Sequence, residues 1–203
     1  MTAGDLITSL EKDVTAMLEE LQALRGSHPL ANWQVQPSPD KWSAAQVIEH
    51  LNTYNRYYLP EIGKGISKSG KDLSASTAEF TPGWFGAYFT KMMRPTEDGR
   101  IKNKMKAAKI FSPEKSVNVE AVFNEFIQHQ NKLLQLLEVA KRRNLNTIHV
   151  PVTQGRFFRF RLGDMFRYLV AHEQRHMIQA RNAVKAVGVA TDKFPVILEA
   201  AKL

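Results

Sequence analysis

The stretch MFRYLVAHEQRHMIQARNAVKAVG, residues Met165 to Gly188, decides how the rest of the chain is read. Its inward stripe runs Met165, Leu169, His172, His176, Ala180, Ala183 and Val187, at helical steps of three and four, and Gly188 is placed to end the helix. Two of those core positions carry imidazoles. They lie one helical turn apart, so both rings project from one face about 6 Å from each other. Such a pair suits two ligands of one transition metal.

Working outward, three more amphipathic helices appear. Leu6, Leu10, Val14, Met17, Leu21 and Leu24 form a stripe that Gly26 and Pro29 close. A loop rich in Pro and Asn follows. The second long helix starts at Trp42-Ser43-Ala44-Ala45-Gln46-Val47. There Ser43 and Gln46 can cap each other's backbone N–H groups, and Trp42 and Val47 can staple the first turn. Val47, Leu51, Tyr54 and Tyr58 carry its apolar face. A third long helix begins near Asn118, with Val122, Phe126, Leu133, Leu137 and Ala140 inward. Between Lys64 and Val117 lies a mixed insert holding an aromatic cluster, Phe80 to Phe89, and a short helix expected within Trp84 to Met93. From Leu145 to Arg161 a loop is expected, with an extended piece at IHVPV. Four long helices and no convincing sheet make an all-α four-helix bundle.

Length and composition agree. The 203 residues, 43% apolar and 24% charged, suit one globular domain over 1–203, with a core from about 5 to 188 and a tail from 189 to 203. With no cysteine, disulfides, thiolate ligands and cysteine nucleophiles are excluded. The acidic N-terminal stretch is unlike a signal peptide, and no run approaches the roughly 18 apolar residues of a membrane span. A cytoplasmic location and no membrane partner are therefore expected.

His50 falls three residues after Val47 and four before Tyr54, on the inward side of the second long helix. Bundles build metal sites from facing helices, so His50, His172 and His176 can converge. The ordinary alternative gives each ring its own hydrogen-bond partner in the core, since an unpartnered one costs about 1–3 kcal/mol. A shared metal satisfies all three together. His28, His129 and His149 read as surface or packing residues.

His172-Glu173-Gln174-Arg175-His176 also matches H-E-x-x-H, the zinc-peptidase helix. That reading lacks a third ligand. Only Asp192 and Glu199 follow among the carboxylates, and no further His does. The stretch Lys41 to Leu51 (KWSAAQVIEHL) and the later Ala171 to Gln179 (AHEQRHMIQ) instead resemble the DinB-like, or YfiT-like, family, with Arg161-Leu162-Gly163-Asp164 similar to its lead-in to the last helix. The resemblance extends from about Asp5 to Gly188. It implies a four-helix bundle with one long crossover, and a divalent metal, Zn²⁺ or Ni²⁺, held by His50, His172 and His176. It further implies metal-dependent hydrolase or thiol-dependent S-transferase activity on a small molecule, in some members with bacillithiol or mycothiol, and commonly a homodimer. A binding module without catalysis is the alternative.

Two residues are candidates for acid–base work. Glu173 has the peptidase spacing but sits about 100° around the helix from His172, where a salt bridge on the flank would also explain it. Tyr54 could donate to a metal-bound group or simply pack with its hydroxyl satisfied. Gln179, three after His176, could orient that ring or face solvent. A rival function is nucleic-acid binding through the basic run Lys91 to Lys109 and through Arg156, Arg159 and Arg161 interleaved with Phe157, Phe158 and Phe160. The expectation is that these lysines keep the insert soluble and the phenylalanines pack, so a nucleic-acid partner is not expected.

Overall fold

The computed structural model describes residues 1–27, 29–71, 74–96, 99–101, 107–153 and 157–188. His28, the expected tail 189–203, Lys102, Lys104, Lys106 and Arg156 lie outside the described residues.

The four expected long helices are α1 (Ala3–Ser27), α3 (Ala44–Ser67), α5 (Val119–Ala140) and α6 (Leu162–Ala186). Between them lie a one-turn α2 (Ala31–Gln34), the short α4 (Trp84–Met93) and a 3-10 turn at Lys109–Phe111. α1 packs on α5 and α6, and so does α3. This arrangement sets α3 beside α6, the two helices that carry the candidate ligands. The connection from α3 to α5 is the long crossover and holds α4.

The stripes behave as patterned. Leu6, Leu10, Val14, Met17, Leu21 and Leu24 of α1 are buried, as are Val122, Phe126, Leu133, Leu137 and Ala140 of α5. Ser43 caps α3 with both halves of the box formed: the Gln46 N–H donates to Ser43 Oγ at 3.2 Å, and the Ser43 N–H to Gln46 Oε1 at 2.9 Å. A cap of this kind stabilises a helix by about 1 kcal/mol. The Gln46 amide also donates to the Glu114 carbonyl at 2.8 Å, tying the returning crossover to the first turn of α3.

Three local details differ from the sequence reading. α3 runs on to Ser67, through Pro60 and past Lys64. The Pro- and Asn-rich loop contains α2, which seats the buried Trp33 edge-on against Phe123 at 4.6 Å. The segment expected as a loop before α6 is a small antiparallel ladder, β1 (His149–Pro151) with β2 (Arg159–Arg161), in the register His149 to Arg161. Its extended first strand falls inside IHVPV. The Ile148 carbonyl then accepts the Leu162 N–H at 2.8 Å, so the ladder feeds directly into α6.

α4 is clamped onto the start of α6. A Cβ at Gly86 would overlap the Asp164 side chain, and one at Gly163 would overlap the Phe80 ring, so only glycine permits either approach. Asp164 Oδ2 accepts the Gly83 N–H at 2.8 Å and holds the beginning of α4 in place.

Candidate metal centre

α3 delivers His50 and α6 delivers His172 and His176 to one point. Ring centroids are 5.2 Å apart for His50 and His172, 4.5 Å for His50 and His176, and 4.5 Å for His172 and His176. One nitrogen from each ring lies within 4.8 Å of the other two. That convergence is what a single small cation requires.

Two of the rings are oriented from behind. His50 Nδ1 donates to the Phe111 carbonyl at 2.6 Å, and His176 Nδ1 to Gln179 Oε1 at 2.8 Å, which leaves each Nε2 as a bare lone pair. His172 Nδ1 is buried with no hydrogen-bond partner among the described residues. Thus the alternative of three separately satisfied core histidines fails at His172. Burial lowers the pKa of all three rings, for His172 and His176 well below the ordinary 6.5, with mutual repulsion as the next cause for those two. Neutral imidazole is the ligating form, so these donors fit a divalent metal without further deprotonation.

Aromatic rings wall the site. Tyr54 stacks on His172 at 4.1 Å and packs on Phe111 at 4.2 Å. Trp42 lies 5.0 Å from His50, and Tyr168 is 6.2 Å from His172. The Tyr54 pKa is pushed up to about 12, chiefly by burial and then by neighbouring Tyr58, so its hydroxyl keeps its proton.

Glu173 is not a solvated flank residue. It is 0% exposed, and its Oε1 accepts from Asn55 Nδ2 and from Gln130 Nε2, each at 2.9 Å. Burial raises its pKa to about 7 against the opposing pull of those two amides. No salt bridge holds it among the described residues. The reason is packing: the α6 face 100° from the histidines is covered by α3 and α5, not by water. Gln179, in contrast, does turn to His176.

The sequence reading missed Phe111, Asn55 and Gln130. Gln130 had a signal, since it falls between Phe126 and Leu133 at stripe spacing. A backbone carbonyl such as that of Phe111 has none. Among the other histidines, His129 packs with its Nδ1 at 3.0 Å from Asn52 Oδ1, and His149 is exposed on β1.

A sequence profile of the DinB superfamily matches residues 12–180, and the segments that carry the three histidines fall inside it. The chain belongs to the DinB superfamily. No curated protein and no solved structure matches it significantly. Membership agrees with the all-helical bundle, and the clustered histidines of this DinB-superfamily chain make a possible metal site. No described helix is long and apolar enough to cross a membrane.

Proposed function

We propose that this DinB-superfamily protein is a metal-dependent enzyme acting on a small molecule, with Zn²⁺ or Ni²⁺ on His50, His172 and His176. The observation that supports this most is the pair of oriented rings beside a third ring with an orphaned nitrogen. Three neutral imidazoles leave a bound divalent ion its full charge and an open position, which supplies Lewis-acid activation of either a water or a thiol. Hydrolysis and thiol-dependent S-transfer share that first requirement.

The chain's own groups have separable tasks. The Phe111 carbonyl and Gln179 hold His50 and His176 in the ligating tautomer. Tyr54, protonated and stacked on His172, donates a hydrogen bond to a substrate atom that becomes more negative during reaction. Trp42, Phe111 and Tyr168 narrow the access of bulk water. Glu173, engaged by α3 and α5, fixes the rotation of α6 rather than acting as the general base its spacing suggests. In a homodimer, each subunit would carry its own set of three histidines.

Titration of chelator-treated protein with Zn²⁺ or Ni²⁺ tests the reading. One equivalent bound, and loss of binding in His172→Ala with the helical signal intact, is the expected result. Failure of the folded protein to bind either ion refutes it. Loaded protein would then be offered a low-molecular-weight thiol with an electrophile, and separately a panel of small esters and amides, to separate transfer from hydrolysis.

A further inference from the structure

The aromatic cluster of the insert divides: Phe80 is buried in the core and Phe89 packs against it, whereas Trp84, Phe85 and Tyr88 stay outside. Trp84 is 75% exposed and Phe157 91%, while Phe85, Tyr88 and Phe158 are also exposed. Trp84 contacts Phe85 at 4.8 Å and stacks with Tyr88 at 6.2 Å, and Phe85 meets Phe158 at 5.0 Å. α4 and the β1–β2 segment therefore share one aromatic face. Contiguous exposed rings of this kind mark a docking surface.

Charge selects the partner. The described residues 81–96, 145–153 and 157–163, which build this face, contain no Asp or Glu but include Lys91, Arg94, Arg159 and Arg161, and the adjoining Asp164 is buried and paired with Arg167. Lys91 and Arg159 are exposed at its rim, while Arg161 donates to the Thr81 carbonyl at 2.6 Å. Glu79, just upstream, lies 4.0 Å from the chain's first amino group. The first acids downstream, Glu97 and Asp98, are outside the described residues. A two-fold contact between copies would bring like-charged rims together, with no exposed acid among the described residues of the face to answer them. A nucleic acid would meet more rings than exposed cations, against the basic track that backbone binding needs. An anionic lipid surface answers both features, with an apolar layer for the rings and headgroup charge for the rim.

We infer that the face formed by Trp84, Phe85, Tyr88 and Phe158 docks peripherally on an anionic lipid surface, with Lys91 and Arg159 at the headgroup level. Peripheral docking needs no spanning helix. The grip of Gly86 on Asp164 keeps α4 rigid, so the rings are presented without refolding.

Co-sedimentation of the full chain with vesicles tests this, using phosphatidylcholine alone and phosphatidylcholine with about one-third phosphatidylserine. Binding to the mixed vesicles, weak on the neutral ones and reduced by salt, is expected. Trp84→Ala with Tyr88→Ala should weaken it about a hundredfold, roughly tenfold for each exposed ring. Lys91→Gln should weaken it about fivefold on anionic vesicles only. Both rings are exposed, so circular dichroism should be unchanged. No binding to anionic vesicles overturns the inference, and so does binding indifferent to the ring substitutions. Retention of a single-stranded oligonucleotide without vesicle binding overturns it in favour of nucleic acid. Self-association abolished by the ring variant, again without vesicle binding, overturns it in favour of a second copy.

Discussion

Replacing Glu173 by Gln isolates the most unusual group in the core. Glu173 is fully buried, and its pKa rises from the usual 4.5 to about 7 because ionisation there is penalised by burial. A carboxyl whose folded pKa is raised contributes stability that is complete below the unfolded pKa and is lost as pH rises through the folded one. The window is thus about pH 4.5 to 7, and the loss at its upper end is 7 − 4.5 units at 1.36 kcal/mol each, about 3 kcal/mol. The neutral side chain of E173Q would carry no such penalty. Its Oε1 can keep accepting from Asn55 and Gln130, and its amide nitrogen replaces Glu173 Oε2, which has no partner among the described residues. Urea unfolding of both proteins between pH 5 and 8 is the assay. The difference between E173Q and the parent should grow by about 2–3 kcal/mol in favour of E173Q as pH rises. Other titrating groups, including Glu20 with its own pKa raised to about 7, occur in both proteins and cancel. A difference that stays flat with pH would refute the buried, reluctantly ionised carboxyl.

Three further outcomes are expected. Gln179→Leu removes the acceptor behind His176 and should weaken Zn²⁺ binding about 10–100-fold by calorimetry, with little change in melting temperature. Because the pKa values of all three histidines lie below 6.5, Zn²⁺ affinity should hold nearly constant from about pH 8 down to 6.5 and fall only below that; calorimetric titrations across this range would show it, and a fall already between pH 8 and 7 would contradict the neutral site. Gly163→Ala drives a methyl group against Phe80 at the α4–α6 contact, and should cost about 1–3 kcal/mol in thermal or urea unfolding despite alanine's better helix propensity.

The helices were legible because their pattern is local. A stripe such as Leu6 to Leu24, a Ser43–Gln46 cap or an Asn118 start each depends on residues within a turn or two, and all three occur where the spacing places them. The inward direction of His50, His172 and His176 followed from the same periodicity. Periodicity does not say what covers the other faces of a helix. Glu173 looked like a flank residue because its angle to the histidines is fixed along α6, whereas its burial depends on Asn55 and Gln130, which arrive from α3 and α5. The β1–β2 ladder escaped the pattern because three-residue strands have too few alternations to register.

By itself, then, the amino-acid order determined the four amphipathic helices, their caps and which imidazoles point inward, since those depend on contacts a few residues apart. Only the packed bundle decided that the three rings meet, that Phe111 lends a carbonyl to one of them, that Glu173 is sealed in, and that Trp84, Phe85 and Tyr88 of the insert face outward. Those outcomes depend on which helices become neighbours, and that is fixed by the burial of whole faces against one another rather than by any short run of residues.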